Sequence, residues 1–355
     1  CRSGLSLVAM GRIRVVIADD SSLARGLLRS FLESDEGIEV VGEASNGRHA
    51  VDMAHALKPD LITMDLEMPV MSGLQAIEEI MYSKAIPILV VSSVANAQNA
   101  LAAMGCGALE VVRKPGYSPT EAAAFVAKVR MLAGVLVITR MRPRPTPRAV
   151  MTGTISLPVA SVATPQTPTN RARKIFAIAC STGGPQALTQ ILPALPAEFP
   201  CPVLIAQHIS EGFAQGMVDW LSGLCKLPVR LAAEGDFLQA GVIHISPSEY
   251  HLRITSAHTV KLVECGERDI FHPCCDVMLD SVADAFGRQA VGIILTGMSS
   301  DGVRGIARIR EQGGMTLAQD EASSVVYGMN RLAIEAGSVQ KILPVEAIAP
   351  TMIQL

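Results

Sequence analysis

Apolar and polar positions alternate along the chain in two trains, separated by a stretch that has neither helical nor strand period. In the first train, RVVIA (14–18), EVVGEA (39–44), LITMD (61–65), PILVVS (87–92) and EVVRK (110–114) have the length and β-branched content of buried strands. Leu23–Ser34, His49–Leu57, Leu74–Met81, Asn96–Met104 and Pro119–Leu132 carry apolar residues at helical spacing. Five strand–helix units in succession predict a parallel sheet covered on both faces. The second train runs IFAIAC (175–180), VLIAQH (203–208), VIHIS (242–246), HLRIT (251–255), VGIILT (291–296) and MTLAQ (315–319), with helical segments between most of them and a hairpin near 251–263. It predicts a second, larger α/β domain. The two trains differ in motif and spacing, so they are not a repeat.

Between Glu121 and Glu198 there is no acidic residue, and residues 140–170 hold six prolines among many Thr, Ser and Arg. Proline there removes donors and stiffens the chain, which predicts an interdomain linker over 133–173. Its arginines (140, 142, 144, 148, 171 and 173) read as solvated charge rather than an anion site. Residues 1–11 are expected to form a disordered extension, because the chain opens on Cys1 and Met10 is a candidate start. The expected division is thus 12–132 and 174–355, two domains in a chain of 355 residues.

Charge and composition narrow the function. Thirty basic against 33 acidic side chains leave a net −3, which excludes a polycation built for nucleic acid. The apolar stretch Met131–Thr139 is about half the roughly 20 residues a spanning helix needs, and the first ten residues lack a secretion signal's apolar core. The eight cysteines (1, 106, 180, 201, 225, 265, 274 and 275) contain no C-x-x-C, and adjacent Cys274–Cys275 are poorly placed to share one zinc. Reduced thiols in a cytoplasmic protein are expected.

Ligands of doubly wound sheets gather at the carboxyl ends of the strands. Asp19 and Asp20 follow the first strand, Asp65 ends the third, Ser92 the fourth, and Lys114 follows the fifth. Each acid alone is equally well a helix cap. Together, three converging carboxylates call for a hard cation such as Mg²⁺, and a lysine and a hydroxyl facing it suit phosphoryl oxygens.

In the second domain the first strand enters Cys180-Ser181-Thr182-Gly183-Gly184-Pro185. A serine on a tight strand-to-helix turn exposes its hydroxyl, and the helix start offers N–H groups to an oxyanion. The same Gly-rich turn is also compatible with a nucleotide loop, although G-x-G-x-x-G and a P-loop lysine are both absent. A nucleophile needs a base and an orienting acid. The next strand ends in Gln207-His208, and VGIILT runs into Gly297-Met298-Ser299-Ser300-Asp301-Gly302, so Ser181, His208 and Asp301 are expected at one edge of the sheet. The other histidines (49, 55, 244, 251, 258 and 272) lack that context.

IADDS, MDLEMPVMSGL, VVSS and RKPG resemble response-regulator receiver domains over roughly 12–132. The resemblance implies that Asp65 accepts a phosphoryl group from a chemotaxis histidine kinase, that Asp19, Asp20, Asp65 and the backbone of Glu67 hold Mg²⁺, and that Ser92 and Lys114 contact the phosphoryl oxygens. Ser72 stands where an Asp is common, and Val111 where an aromatic often sits. AIACSTGGPQAL, LIAQHISEGF, LTGMSSDGVRG and AQDEASSVVYGMNRLAIEAG resemble the chemotaxis protein-glutamate methylesterase family over 174–349.

Together the resemblances imply two doubly wound parallel-sheet α/β domains, a flavodoxin-like receiver and a Rossmann-like methylesterase domain, joined by the Pro/Thr/Arg-rich linker. They imply Ser181 as nucleophile, His208 as base, Asp301 as its orienting residue, and Thr182, Gly183 and Met298 in the substrate and oxyanion region, with no esterase cofactor. The implied substrates are glutamate γ-methyl esters and glutamines on methyl-accepting chemotaxis receptors; nucleic acid and membrane insertion are not expected. Three departures stand out: Ala179-Cys180 before the serine, where added bulk could crowd the turn; FHPCCDVM, where His272 replaces a usual arginine; and Asn330, where Pro is usual. Rival readings are an idle binding regulator, a transcriptional regulator and a general small-molecule esterase. The strand–helix alternation after the linker argues against a compact basic DNA-binding domain.

Overall fold

The structure, a computed structural model, describes residues 11–93, 97–135, 137, 174–266 and 269–355. The expectations for residues 1–10 and for the linker and its arginines over 138–173 lie outside the described residues.

The first five strands are β1 (Ile13–Ala18), β2 (Ile38–Ala44), β3 (Leu61–Met64), β4 (Ile88–Ser92) and β5 (Glu110–Arg113). They pair in parallel in the order β2-β1-β3-β4-β5. Helices α1 (Ser22–Glu33), α2 (Gly47–Leu57), α3 (Gly73–Ser83), α4 (Ala97–Cys106) and α5 (Pro119–Ala133) follow the strands in turn. The strands read as continuous apolar runs because both faces are covered. Val15 and Ile17 pack with Leu28, Leu32, Phe125 and Val129 on one face, while Val16, Ile62 and Met64 pack with Ala50, Ile77 and Ile80 on the other.

The second sheet is all parallel, in the order β14-β13-β12-β6-β7-β9-β8. Its strands are β6 (Ile175–Cys180), β7 (Val203–Gln207), β8 (Val229–Leu231), β9 (Ile243–Ile245), β12 (Ala290–Ile294), β13 (Met315–Gln319) and β14 (Lys341–Leu343). The antiparallel hairpin of β10 (Tyr250–Ile254) and β11 (Val260–Glu264) stands apart from the sheet. Helices α6 (Gly184–Ile191), α7 (Ala214–Ser222), α8 (Cys275–Phe286), α9 (Val303–Glu311), α10 (Met329–Glu335) and α11 (Val345–Gln354) complete the layers. From β6 the chain builds outward through β7 to β9 and β8, then returns to the other side of β6 through β12, β13 and β14. The strand order therefore reverses beside β6, where doubly wound sheets open a crevice at their carboxyl ends.

The two sheets are in contact. Helix α4 packs on α7, with Gly105 under the Trp220 ring, and one apolar cluster runs from Ile77 and Leu101 through Met217 and Leu188 to Phe176. No described helix is long and apolar enough to cross a membrane.

Candidate active site

Parallel pairing brings the ends of β1, β3, β4 and β5 side by side. Asp65 N–H donates to Ala18 O at 2.8 Å and Lys114 N–H to Ser92 O at 2.9 Å, which fixes the polar residues just beyond the strands. Lys114 Nζ bridges Asp19 Oδ2 at 2.7 Å and Asp65 Oδ2 at 2.9 Å. Asp19 and Asp65 are buried and Asp20 is exposed, and one carboxylate oxygen from each lies within 4.8 Å of the others. Burial pushes the Asp65 carboxyl above its ordinary range, although the Lys114 ammonium and the Leu66 N–H pull the other way.

Two predicted members stand slightly apart. Ser92 is fully buried and its hydroxyl turns to Ser93 O at 3.5 Å, and Glu67 is exposed two residues beyond Asp65. Ser72 caps α3 by accepting from Gln75 N–H at 3.3 Å, so this departure keeps a cap. Val111 is buried within the sheet. Gly73 acquires a role that the sequence reading did not see: a Cβ there would lie 1.9 Å from Asp65 O, so only glycine lets α3 start this close to the acid.

In the second domain Ser181 follows β6, His208 follows β7 and Asp301 follows β12, one on each of three adjacent strands at the same sheet edge. Ser181 N–H donates to Thr296 O at 3.1 Å and His208 N–H to Cys180 O at 3.0 Å, tying the three turns together. The Gln207 amide donates to both Ser181 O (2.9 Å) and His208 O (2.8 Å). Gly183 has φ +80°, and a Cβ there would meet Val325 at 2.4 Å, so the turn that exposes Ser181 requires glycine.

His208 Nε2 lies 2.7 Å from Asp301 Oδ2. A carboxylate can only accept, so Nε2 carries the proton and Nδ1 is left with its lone pair. The imidazole also stacks on Phe271, centroids 5.1 Å apart and planes 8° apart. Asp301 accepts further bonds from Cys275 N–H (2.6 Å), Asp276 N–H (2.9 Å) and the Cys274 thiol (3.1 Å) at the start of α8. Burial opposes its charge, but His208 and the two N–H groups outweigh it and hold the carboxyl at about 2. Among the described residues, no hydrogen bond joins Ser181 Oγ to His208, and none accepts the N–H of Thr182, Gly183 or Met298.

Met298 is half exposed beside the site. Thr182 is occupied: its hydroxyl donates to Glu110 Oε2 of β5 at 2.6 Å, and Glu110 Oε1 takes Lys128 Nζ at 2.5 Å. The Gln186 amide reaches Ala108 O at 2.6 Å, so the first domain is seated on the turn that carries Ser181, which is 5% exposed. A cavity of ≈ 730 Å³ opens beside that contact, between Arg113, Glu121 and Lys128 on one side and Ile209, Glu211 and His272 on the other.

The sequence departures find their places. Cys180 is fully buried with its thiol toward Ala206 O at 3.8 Å, and no crowding of the turn results. His272 Nε2 is bound to Asp269 O at 2.9 Å. The buried Asn330 amide donates to Gln319 O and Ser324 Oγ, bracing the loop that carries Val325. Glu110, Gln207, Phe271 and Cys274 were missed as site residues; of these only Gln207, next to His208, had a local signal.

Comparison with known proteins gives consistent matches. Residues 176–352 match the family described as CheB methylesterase, and residues 15–125 match the response regulator receiver domain. The chain is 50% identical over 354 residues to protein-glutamate methylesterase/protein-glutamine glutaminase 3 of Paramagnetospirillum magneticum, covering 98% of this chain and 97% of that one. It is 39% identical to protein-glutamate methylesterase/protein-glutamine glutaminase 1 of Cupriavidus pinatubonensis, covering 96% and 97%. The crystal structure of the Thermotoga maritima CheB methylesterase catalytic domain matches 51% of this chain and 97% of its own, with 32% identity and a TM-score of 0.50.

Proposed function

The chain belongs to the protein-glutamate methylesterase/protein-glutamine glutaminase family, carrying a response-regulator receiver ahead of its methylesterase domain, and on that premise we propose that Ser181 is the nucleophile, His208 the general base and Asp301 the residue that orients it. The division into a receiver at 12–132 and a catalytic domain at 174–355 belongs to the same reading. The reaction is hydrolysis of a glutamyl γ-methyl ester or a glutamine amide on a chemoreceptor.

The observation that carries the site reading is the His208–Asp301 pair at 2.7 Å, set beside the Ser181 turn at the switch point of the sheet. With Nε2–H held by Asp301, Nδ1 of His208 accepts the Ser181 proton as Oγ attacks the ester carbonyl. The free N–H groups of Thr182, Gly183 and Met298 are the candidates to hold the developing oxyanion, worth about 3–4 kcal/mol per donor in other serine hydrolases. His208 then returns the proton to the leaving oxygen, methanol departs, and water attacks the acyl-enzyme by the same route to leave glutamate. With glutamine the leaving group is ammonia.

Control comes from the receiver. Asp65 is proposed to accept a phosphoryl group from a chemotaxis histidine kinase. The three clustered carboxylates suit Mg²⁺: they are hard oxygen donors, Lys114 balances one of three charges, and exposed Asp20 leaves room for water. When bound, Mg²⁺ supplies charge neutralisation at the acceptor, with Asp19, Asp20, Asp65 and the Glu67 backbone as its ligands. Ser92 and Lys114 then face the phosphoryl oxygens. The Glu110–Thr182 bond holds the receiver over the catalytic turn, so phosphorylation raises activity by releasing that contact. A cytoplasmic location belongs to the same reading.

The test is methanol release from a methylated chemoreceptor cytoplasmic fragment by wild type and Ser181→Ala, each with Mg²⁺ and a small phosphodonor. Release by wild type alone is expected; equal background from both overturns the assignment.

A further inference from the structure

We propose that His208, Asp301 and Cys275 form a binding site for a thiophilic divalent cation such as Zn²⁺, and that filling it silences the esterase. The spacing of the cysteines in the sequence gave no sign of it, because the site is closed by residues from two strand ends and the start of α8. One donor atom each from His208, Cys275 and Asp301 lies within 4.8 Å of the other two. Cys275 Sγ is 3.5 Å from His208 Nε2, which is 2.7 Å from Asp301 Oδ2. Cys274 Sγ bonds the other carboxylate oxygen, Asp301 Oδ1, at 3.1 Å and stands outside that cluster. Tetrahedral zinc, with bonds of about 2.0–2.3 Å, keeps its donors about 3.3–3.7 Å apart. Small side-chain shifts therefore suffice.

The donor chemistry selects the ion. One imidazole, one carboxylate and one thiol, with a fourth position left for water, suit zinc or cobalt and are poor ligands for Mg²⁺ or Ca²⁺. Without a metal, burial keeps the Cys275 thiol protonated, so binding releases a proton to solvent. The silencing follows from proton bookkeeping on one ring. Metal ligation takes the lone pair of Nε2, which moves the imidazole proton to Nδ1, the nitrogen that must be free to accept from Ser181. That second half rests on His208 being the base; the binding half does not.

Cobalt(II) is the probe for the full-length, metal-free protein. A near-ultraviolet thiolate-to-cobalt band should appear at one equivalent and be displaced by one equivalent of Zn²⁺. Cys275→Ser and Cys275→Ala should lose the band, and Cys225→Ser should keep it. In methanol release, Zn²⁺ should reduce the wild-type rate by more than about tenfold, reversibly with chelator, while either Cys275 variant, scaled to its own metal-free rate, should need about a hundredfold more zinc. No band in wild type, a band that survives both Cys275 substitutions, or unchanged zinc sensitivity in those variants overturns the proposal. A Cys275-dependent band in a protein that releases no methanol even without metal leaves the site standing and removes the catalytic reading instead.

Discussion

Thr182 donates its hydroxyl hydrogen to Glu110 at 2.6 Å, across the boundary between two folds and one residue beyond Ser181. The carboxylate that accepts it is itself anchored by Lys128 from the receiver's last helix. A regulatory domain thus reaches the catalytic turn through one charged hydrogen bond, backed by the Gln186–Ala108 contact. Such a bond contributes about 1.5–3 kcal/mol, enough to shift a two-state contact by tenfold or more.

Glu110→Ala should therefore raise the esterase rate of the unphosphorylated enzyme roughly tenfold and shrink its stimulation by a phosphodonor. Initial rates of methanol release with and without phosphodonor measure both. An unchanged basal rate would mean that the bond does not restrain the catalytic domain.

Chelating divalent cations should abolish the phosphodonor response while sparing the basal rate, because the three acids lie in the receiver and the triad uses none of them. Asp65→Asn should match the chelated enzyme with metal present. Loss of basal activity on chelation would contradict a metal role confined to the receiver.

Asp301 links chemistry to stability. His208 and the two N–H groups hold its folded carboxyl down to about 2, below the ordinary 3.8, so the stability it contributes is present above about pH 4 and is lost as pH falls through 2. The shift corresponds to about 2 kcal/mol. Denaturant melts between pH 5 and pH 2 should show this acid limb in wild type, and Asp301→Asn should lack it while losing about 10⁴ in methylesterase turnover. Full activity in the variant would remove its orienting role.

His244 makes an independent pH prediction. It is fully buried in β9, neither ring nitrogen has a hydrogen-bond partner among the described residues, and burial, aided by Arg230, pushes its pKa down to about 4. A folded pKa below the unfolded one of about 6.5 means that stability is lost as pH falls from about 6.5 to 4, by up to about 3 kcal/mol. His244→Leu should flatten that loss in urea melts without changing activity at pH 7.5.

Gly73→Ala should destabilise the receiver by about 1–3 kcal/mol, because the added carbon falls 1.9 Å from Asp65 O and α3 must move. Slower phosphorylation of Asp65 should accompany the lower Tm. A variant with wild-type Tm and phosphorylation rate would show that the loop yields freely.

The strands that carry the site were legible because each is largely an apolar run, with the polar residue that the site uses at or just beyond its carboxyl end. The short edge strands Val229–Leu231 and Lys341–Leu343 were not read, since VRL and KIL each spend one of three positions on a basic residue and form no apolar run, unlike VIHIS around the equally short Ile243–Ile245. Ser181, His208 and Asp301 were named from Gly-bracketed strand ends, and the structure sets all three on one edge. What sequence spacing could not show was the second task of Asp301 in holding the start of α8. Nor could it show Glu110 as a latch, because its partner is 72 residues away and strand alternation marks Glu110 only as a polar position. The spacing of Cys274 and Cys275 speaks against a shared zinc, but it says nothing of His208 and Asp301, which the fold brings to Cys275.

The strand order places Ser181 and His208 on one side of the reversal and Asp301 on the other, with β12 inserted beside β6 after an excursion of more than a hundred residues. A chain leaving the ribosome therefore carries its serine long before it carries the acid that aligns the base. If Asp301 orients His208 as proposed, full hydrolytic competence waits for β12 to dock, and a chain cut short before Asp301 should be nearly inert toward methylated receptors.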